Sequence, residues 1–201
     1  VFVVASYGNI IPQEVLDIPV HKTLNVHPSL LPKLRGASPL QSAILNDEKT
    51  GVSIMRLDDK VDHGPLLAQE EFEMLPGGLR YSELESALGA RGGHLLSRVL
   101  PSWVAGRLPE IPQDHSQATY TNKFEKADGE INLNDDPRKN IRKIHAFEIW
   151  PGTYFFTERK GKRIRVVIKG AKMTDDGKLE IVRVIPEGKK EMDYLDLLKG
   201  L

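Results

Sequence analysis

Three residues of this sequence carry functional groups that can act together: Asn25 and His27 in KTLNVHP, and Asp62 in LDDKVDHG. An asparagine amide donates hydrogen bonds without carrying charge, so it can hold an oxyanion as it develops on a carbonyl. Histidine accepts a proton near neutral pH, and aspartate can orient the imidazole or a water that shuttles the proton. No nucleophilic residue is evident beside them. The chemistry that fits is direct transfer of an acyl group between two bound substrates, with proximity supplying much of the acceleration.

Other readings stand beside this one. An Asn-x-His pair on a strand can be structural, and Asp62 can simply cap its own turn. Asp58, Asp59, Asp62 and His63 share one short loop and can be read as metal ligands, although no further ligand cluster accompanies them. Tyr7, Ile10 and Ile11 are either core or the lining of a pocket for a flat aromatic ligand. His145 and Trp150 read as core or cap residues of a β-rich part.

The elements that must position these residues follow from pattern. VFVVA reads as a buried strand of a parallel sheet covered on both faces. After a loop containing Gly8 and Pro12, PQEVLDI predicts one helical turn. KTLNVHP predicts a second strand that Pro28 ends, so Asn25 and His27 project from one face at the strand's carboxyl end, where ligands of open α/β sheets bind. Ser38 as N-cap and Pro39 at the first position predict a helix carrying Leu40, Ala43 and Ile44. TGVSIMRLDD predicts a strand alternating Val52 and Ile54, and PLLAQEEFEM another. Residues 81 to 106 predict a long amphipathic helix interrupted at Gly92 and Gly93 and ended near Pro101.

The 201 residues suffice for one large domain or two small ones. Zero cysteines exclude disulfide scaffolds, thiolate metal sites and cysteine nucleophiles. No apolar run is long enough for a membrane span, and VFVVASYGNIIP lacks the basic leader and cleavage site of a secretory signal. A cytoplasmic location is expected. Net charge is zero but uneven: residues 1 to 119 carry 10 Lys and Arg against 14 Asp and Glu, and residues 120 to 201 carry 18 against 14. The basic part is a candidate for polyanion contact. Residues 108 to 118, rich in proline and polar side chains, read as a linker between a domain at 1–107 and a second at 119–201. In the second, DPRKNIRKIHAFE predicts a short helix, hairpin turns fall at KG and DDG, and MDYLDLLKG predicts a terminal helix. These are the parts of a small β-barrel or curled sheet.

NVHPSLLPKLRGASPLQSAI followed by TGVSIMRLDDKVDHGPLL resembles the formyltransferase superfamily that uses 10-formyltetrahydrofolate. RGASPLQ, Arg35 to Gln41, resembles the branch that formylates methionyl-tRNA, whereas the glycinamide ribonucleotide branch usually has a Pro-Gly and histidine-containing sequence there. ATYTNKFEKADGEINL, IRKIHAFEIWPGTYFF and VIPEGKKEMDYLDLLKG resemble the same branch's C-terminal domain, so the likeness runs along nearly the whole chain.

The resemblance implies an α/β fold: the C-terminal portion of a Rossmann-like formyltransferase domain, followed by a small OB-fold-like β-barrel. It implies that the superfamily's longer N-terminal segment, with its first β-α-β units, is missing, which would leave a hydrophobic edge exposed, and that the barrel is short. The implied activity is formyl transfer to the α-amino group of methionyl initiator tRNA. The alternatives are transfer to an amino-sugar nucleotide, or a non-catalytic folate- or RNA-binding remnant. Asn25 would hold the oxyanion, His27 would assist proton transfer and Asp62 would organise the histidine and a relay water. The folate cosubstrate would lie against Tyr7, Gly8, Asn9, Ile10, Ile11, Ser29, Leu30, Leu31, Pro32, Arg56, Leu57, Asp58 and Val61. Arg35, Arg142, Lys143, Lys162, Arg163 and Arg165 would contact tRNA. No metal is implied, and a monomer is expected.

Overall fold

The β-branched runs of the first half become strands, and the way each is covered decides where the polar residues of interest point. The computed structural model describes residues 1–74 and 78–200; Leu75, Pro76, Gly77 and Leu201, the last of them inside the expected second domain, lie outside the described residues. The chain divides into two units, Val1–Gly77 with Glu83–Lys123, and Gly78–Ser82 with Phe124–Leu201.

In the first unit β1 (Phe2–Ala5) is followed by one helical turn, α1 (Gln13–Leu16), and by β2 (Thr23–His27), which pairs parallel with β1. After the two-residue β3 (Arg35–Gly36) and helix α2 (Pro39–Asn46), strands β4 (Thr50–Arg56) and β5 (Leu66–Phe72) add antiparallel, giving a mixed sheet in the order β1-β2-β4-β5. Ser38 and Pro39 start α2 where expected, but Ser38 makes no side-chain cap; its N–H donates to Thr121 Oγ1 at 3.0 Å. The Leu40, Ala43 and Ile44 face of α2 is buried.

Three expectations about this unit are corrected. β1 is not buried on both faces: Phe2 and Val3 are each 45% exposed, because the strand lies at the sheet edge with β2 as its one neighbour. β4 does not alternate; every residue from Thr50 to Met55 is buried, because both faces of this strand are covered. Helix α3 (Tyr81–Val104) runs on through Gly92, Gly93 and Pro101. Its buried Leu84, Leu88, Gly92 and Leu95 recur at helical spacing and form the stripe that packs on the sheet. A methyl group at Gly92 would stand 2.5 Å from Val26 Cγ1 and 3.3 Å from Val52 Cγ1, so the absent side chain is what lets the helix approach. Gly92→Ala should therefore cost about 1–3 kcal/mol by overpacking, read by denaturant unfolding. Gly93→Ala, whose methyl meets nothing within 4 Å, should instead be neutral or slightly stabilising.

Val26, Val52 and Ile54 share the α3 face by strand alternation and register, so Asn25, His27, Ser53 and Met55 face the other way. Residues 108 to 118 pack along this unit. Ile111 bridges Leu66, Gln113 is buried, and β6 (Tyr120–Thr121) pairs parallel with β3. Proline and polar residues are present there, but side-chain hydrogen bonds hold the segment down.

In the second unit Asp136 caps α4 (Pro137–Ala146) through the Arg138 N–H at 2.9 Å, with Pro137 at the first position. Strands β7 (Thr153–Arg159), β8 (Lys162–Met173), β9 (Leu179–Pro186) and β10 (Met192–Asp193) make an antiparallel sheet in the order β10-β9-β8-β7, and α5 (Tyr194–Lys199) follows. The β7–β8 turn has left-handed Lys160 and Gly161, the two-residue geometry that matches strand twist. Ile141, Ile144, Phe155, Val166, Ile168, Val184 and Leu197 form the core. Of the two expected forms, barrel or curled sheet, the barrel is not closed: among the described residues β7 and β10 are the two open edges of a four-stranded sheet. Trp150, read as core or cap, is 55% exposed.

Candidate active site

The C-terminal end of β2 is where the first unit gathers polar groups. Because β1 runs parallel to β2, residues 6–12 leave the sheet at the same end at which Asn25 and His27 stand. Asn25 is half-buried, and among the described residues its side chain makes no hydrogen bond. His27 is 4% exposed.

The loop from Pro28 to Leu34 folds back over this face and is tied to the sheet at the Ser53 hydroxyl and by Gln69 Nε2, which donates to the Leu31 carbonyl at 2.8 Å. Ser53 Oγ donates to the Ser29 carbonyl at 2.6 Å and accepts from the Leu31 N–H at 3.1 Å and Gln69 Nε2 at 2.8 Å. Leu31 packs with Met55 and Leu66 beneath the loop. This brings the Leu34 carbonyl to His27 Nε2 at 3.0 Å. A carbonyl only accepts, so Nε2 carries the proton and Nδ1 is the free basic nitrogen of the neutral ring. Nδ1 faces Asp62 Oδ1 at 3.5 Å.

Asp62 sits in the left-handed region at φ 46° and reaches across to the Gly36 N–H, which donates to Oδ2 at 2.8 Å. It is therefore not the cap of its own turn; Asp58 is, accepting from the Lys60 N–H at 3.0 Å and pairing with His63 Nδ1 at 2.7 Å. Two residues that the sequence did not single out hold the Asp62 loop. Gln113 Nε2 donates to the carbonyls of Asp62 at 3.0 Å and Gly64 at 2.6 Å, and its Oε1 accepts from Arg35 Nη2 at 2.6 Å. His115 stacks on His63 with centroids 4.0 Å apart and lies 2.9 Å from Arg35 Nη2 through Nδ1. Arginine can only donate, so His115 Nδ1 accepts; loss of solvation, then His63, Arg35 and Lys60, hold this imidazole below its ordinary pKa.

The residues expected against a folate divide into two sets. Tyr7 and Ile10 are 59% and 79% exposed, so they are not core. With exposed Val61 and the chain at Gly8, Asn9 and Ile11, they leave apolar surface uncovered in the loops flanking the catalytic candidates, which suits a flat ring. Ser29 and Leu31 are instead buried at 0% and 3%, their groups engaged with Lys33 and the sheet. Leu30 packs over Gly51, Pro32 accepts from the Thr119 N–H, and Leu57 joins the Leu31 cluster. Arg56 is held by Glu110 at 2.7 and 3.0 Å, and Asp58 by His63.

Of the cations expected at tRNA, Arg35 belongs to the first unit and the other five to the second. Arg35 is 1% exposed, its guanidinium directed to Gln113, His115 and Tyr120, which removes it from any phosphate. In the second unit Arg163 and Arg165 alternate along β8 on the face opposite Val166 and Ile168, against which α4 packs. They lie over Phe156 at 4.0 Å and Tyr154 at 5.5 Å, with Lys162 exposed beside them. Arg142 and Lys143 belong to α4, and Lys143 Nζ donates to the Glu130 carbonyl at 2.7 Å; partial burial holds its ammonium below the ordinary pKa.

Among the described residues no group of three or more acidic, histidine or cysteine side chains is placed to hold a metal ion, and no helix is long and apolar enough to cross a membrane. The profile of the formyl transferase family matches residues 1–100. A methionyl-tRNA formyltransferase of Dictyoglomus thermophilum is 37% identical, covering 98% of this chain and 70% of that protein. One from Thermus thermophilus is 40% identical, covering 100% and 70%. Among solved structures, a 4-N formyltransferase from Francisella tularensis superposes with TM-score 0.68 at 23% identity over 80% of this chain and 66% of that one. HypX from Aquifex aeolicus in complex with tetrahydrofolic acid gives 0.71 at 20% identity over 98% and 38%. With the profile lying over β2, its polar end and the Asp62 loop, and with identity of this order across most of both relatives, the chain belongs to the formyl transferase family.

Proposed function

We propose that this chain transfers a formyl group from 10-formyltetrahydrofolate to the α-amino group of methionyl initiator tRNA, acting in the cytoplasm as a monomer. The observation that carries the reading is the approach of His27 Nδ1 to Asp62 Oδ1, 3.5 Å apart and placed to share a proton, two residues along β2 from an asparagine amide that makes no hydrogen bond among the described residues. The choice of acceptor is supported by relatives named methionyl-tRNA formyltransferase at 37% and 40% identity.

The folate supplies an activated formyl carbonyl on nitrogen. Tyr7 and Ile10 would offer apolar cover to its ring, with backbone groups from residues 6–12 and 57–62 reading the ring edge. Asn25 would donate to the formyl oxygen as negative charge develops there. The bond from the amine nitrogen to the formyl carbon forms, and the bond from that carbon to the donor nitrogen breaks. His27 Nδ1 with Asp62 would take the proton the amine loses, directly or through a water, and return one to the departing nitrogen. The second unit would serve as the OB-like module of the enzyme. Arg163 and Arg165 on its outer sheet face, with Lys162 at the start of the strand, would contact phosphates, and Arg142 and Lys143 a separate stretch of backbone.

Incubation with 10-formyltetrahydrofolate and methionyl initiator tRNA should give formylmethionyl-tRNA, resolved from the unformylated form on acid gels. Formylation of an amino-sugar nucleotide in place of the tRNA moves the acceptor assignment to sugars. Absence of turnover with either leaves a folate- or RNA-binding remnant and ends the proposal.

A further inference from the structure

We propose that Gln113 is a positioning residue for the transfer reaction, setting the Asp62 carboxylate against His27 from a stretch of chain whose composition reads as a linker. The inference rests on the reading of Asp62 as part of the transfer site.

Asp62 is fixed by contacts to both its backbone and its carboxylate. Its left-handed backbone is a conformation that a side chain larger than glycine adopts at a cost, so the loop needs outside support to persist there. One support is the Gly36 N–H on Oδ2. The other is Gln113, 6% exposed, whose amide is fully used. Both of its hydrogens go to the loop, to the carbonyls of Asp62 and Gly64, and its oxygen takes the Arg35 guanidinium. Arg35 is adjacent in sequence to Gly36. Gln113 thus ties the backbone of Asp62 to the strand whose N–H grips the carboxylate, closing a ring of hydrogen bonds around the His27 partner. Opening such a ring misplaces a catalytic group by a distance on the order of 1 Å, which costs about 100-fold in rate.

The test compares Gln113→Ala and Gln113→Glu with Asp62→Asn in the full chain. The glutamate keeps the volume and the bond from Arg35 but loses both donors. Both Gln113 variants should lower kcat by about 10- to 100-fold with KM for folate and tRNA within about threefold, since the contact acts on the transition state and not on binding. The Gly36 amide, followed by hydrogen exchange, should lose protection in both variants, a local effect that general destabilisation would spread over the whole first unit. Adding Gln113→Ala to Asp62→Asn should cost nothing further, because the two act as one unit. If Gln113→Glu turns over at the wild-type rate with Gly36 still protected, glutamine merely fills space and the proposal is overturned. If Gly36 loses protection while Asp62→Asn retains full activity, the assignment of Asp62 fails instead, and the positioning role falls with it.

Discussion

Alanine at His27 should lower kcat for formyl transfer by about 10²- to 10⁴-fold, the range typical of removing a positioned acid–base group. The Leu34 carbonyl fixes the proton on Nε2, so Nδ1 remains as the acceptor and points at Asp62 Oδ1, 3.5 Å away. An amine that has bonded to carbon becomes strongly acidic and must lose a proton before the donor can leave. Nδ1 and the carboxylate behind it are the basic groups arranged for that step. Without the ring, Asp62 is still held by Gly36 but has lost the imidazole through which it would act. Since His27 is 4% exposed, some loss of stability accompanies the change, and melting temperature must be measured alongside rate. Steady-state kinetics should show kcat and kcat/KM falling together. A kcat within threefold of wild type, in a folded variant, removes His27 from the mechanism.

Substitution at Asn25 should cost about 10²- to 10³-fold in kcat, the loss of one preorganised oxyanion donor, or about 3–4 kcal/mol of barrier. Asn25→Asp is the sharper variant. It has nearly the same shape, but puts acceptor oxygens where the amide had donors and adds a like charge beside the developing oxyanion. Its loss should equal or exceed that of Asn25→Ala. Because the Asn25 side chain makes no hydrogen bond among the described residues, neither change should lower the melting temperature by more than a few degrees. Retention of activity by Asn25→Asp would place the oxyanion elsewhere.

What the sequence disclosed of this site is what strand period and turn chemistry encode locally. An asparagine and a histidine two apart before a proline must share a face at a strand end, and they do. An aspartate in the short DDKVDHG stretch reads as a loop residue; its partner in space does not, because the Gly36 N–H lies 26 residues away. In sequence Arg35 looks like a cation for phosphate, since nothing local announces that Gln113, His115 and Tyr120 enclose it. Gln113 was hidden for the complementary reason: proline-rich, polar composition resembles a linker unless side-chain hydrogen bonding is known. The same holds for α3, where glycines and a proline that weaken an isolated helix are overridden by the sheet surface it covers. The C-terminal hairpins followed their turn residues, yet turn residues do not dictate whether a sheet closes, and this one stays open.

The pairing of β3 with β6 has a consequence for how the protein acquires its site. Leu34 and Arg35 meet Thr119 and Tyr120 across 85 residues of chain, whereas β4 and β5 form from neighbouring segments. Closing so long a loop carries an entropic penalty that local hairpins avoid. The meander should condense first, and the bonds that seat the Leu34 carbonyl and Arg35 should come last. Refolding molecules should therefore regain their circular dichroism before they regain turnover, and a ribosome must have released residue 121 before His27 meets its final surroundings.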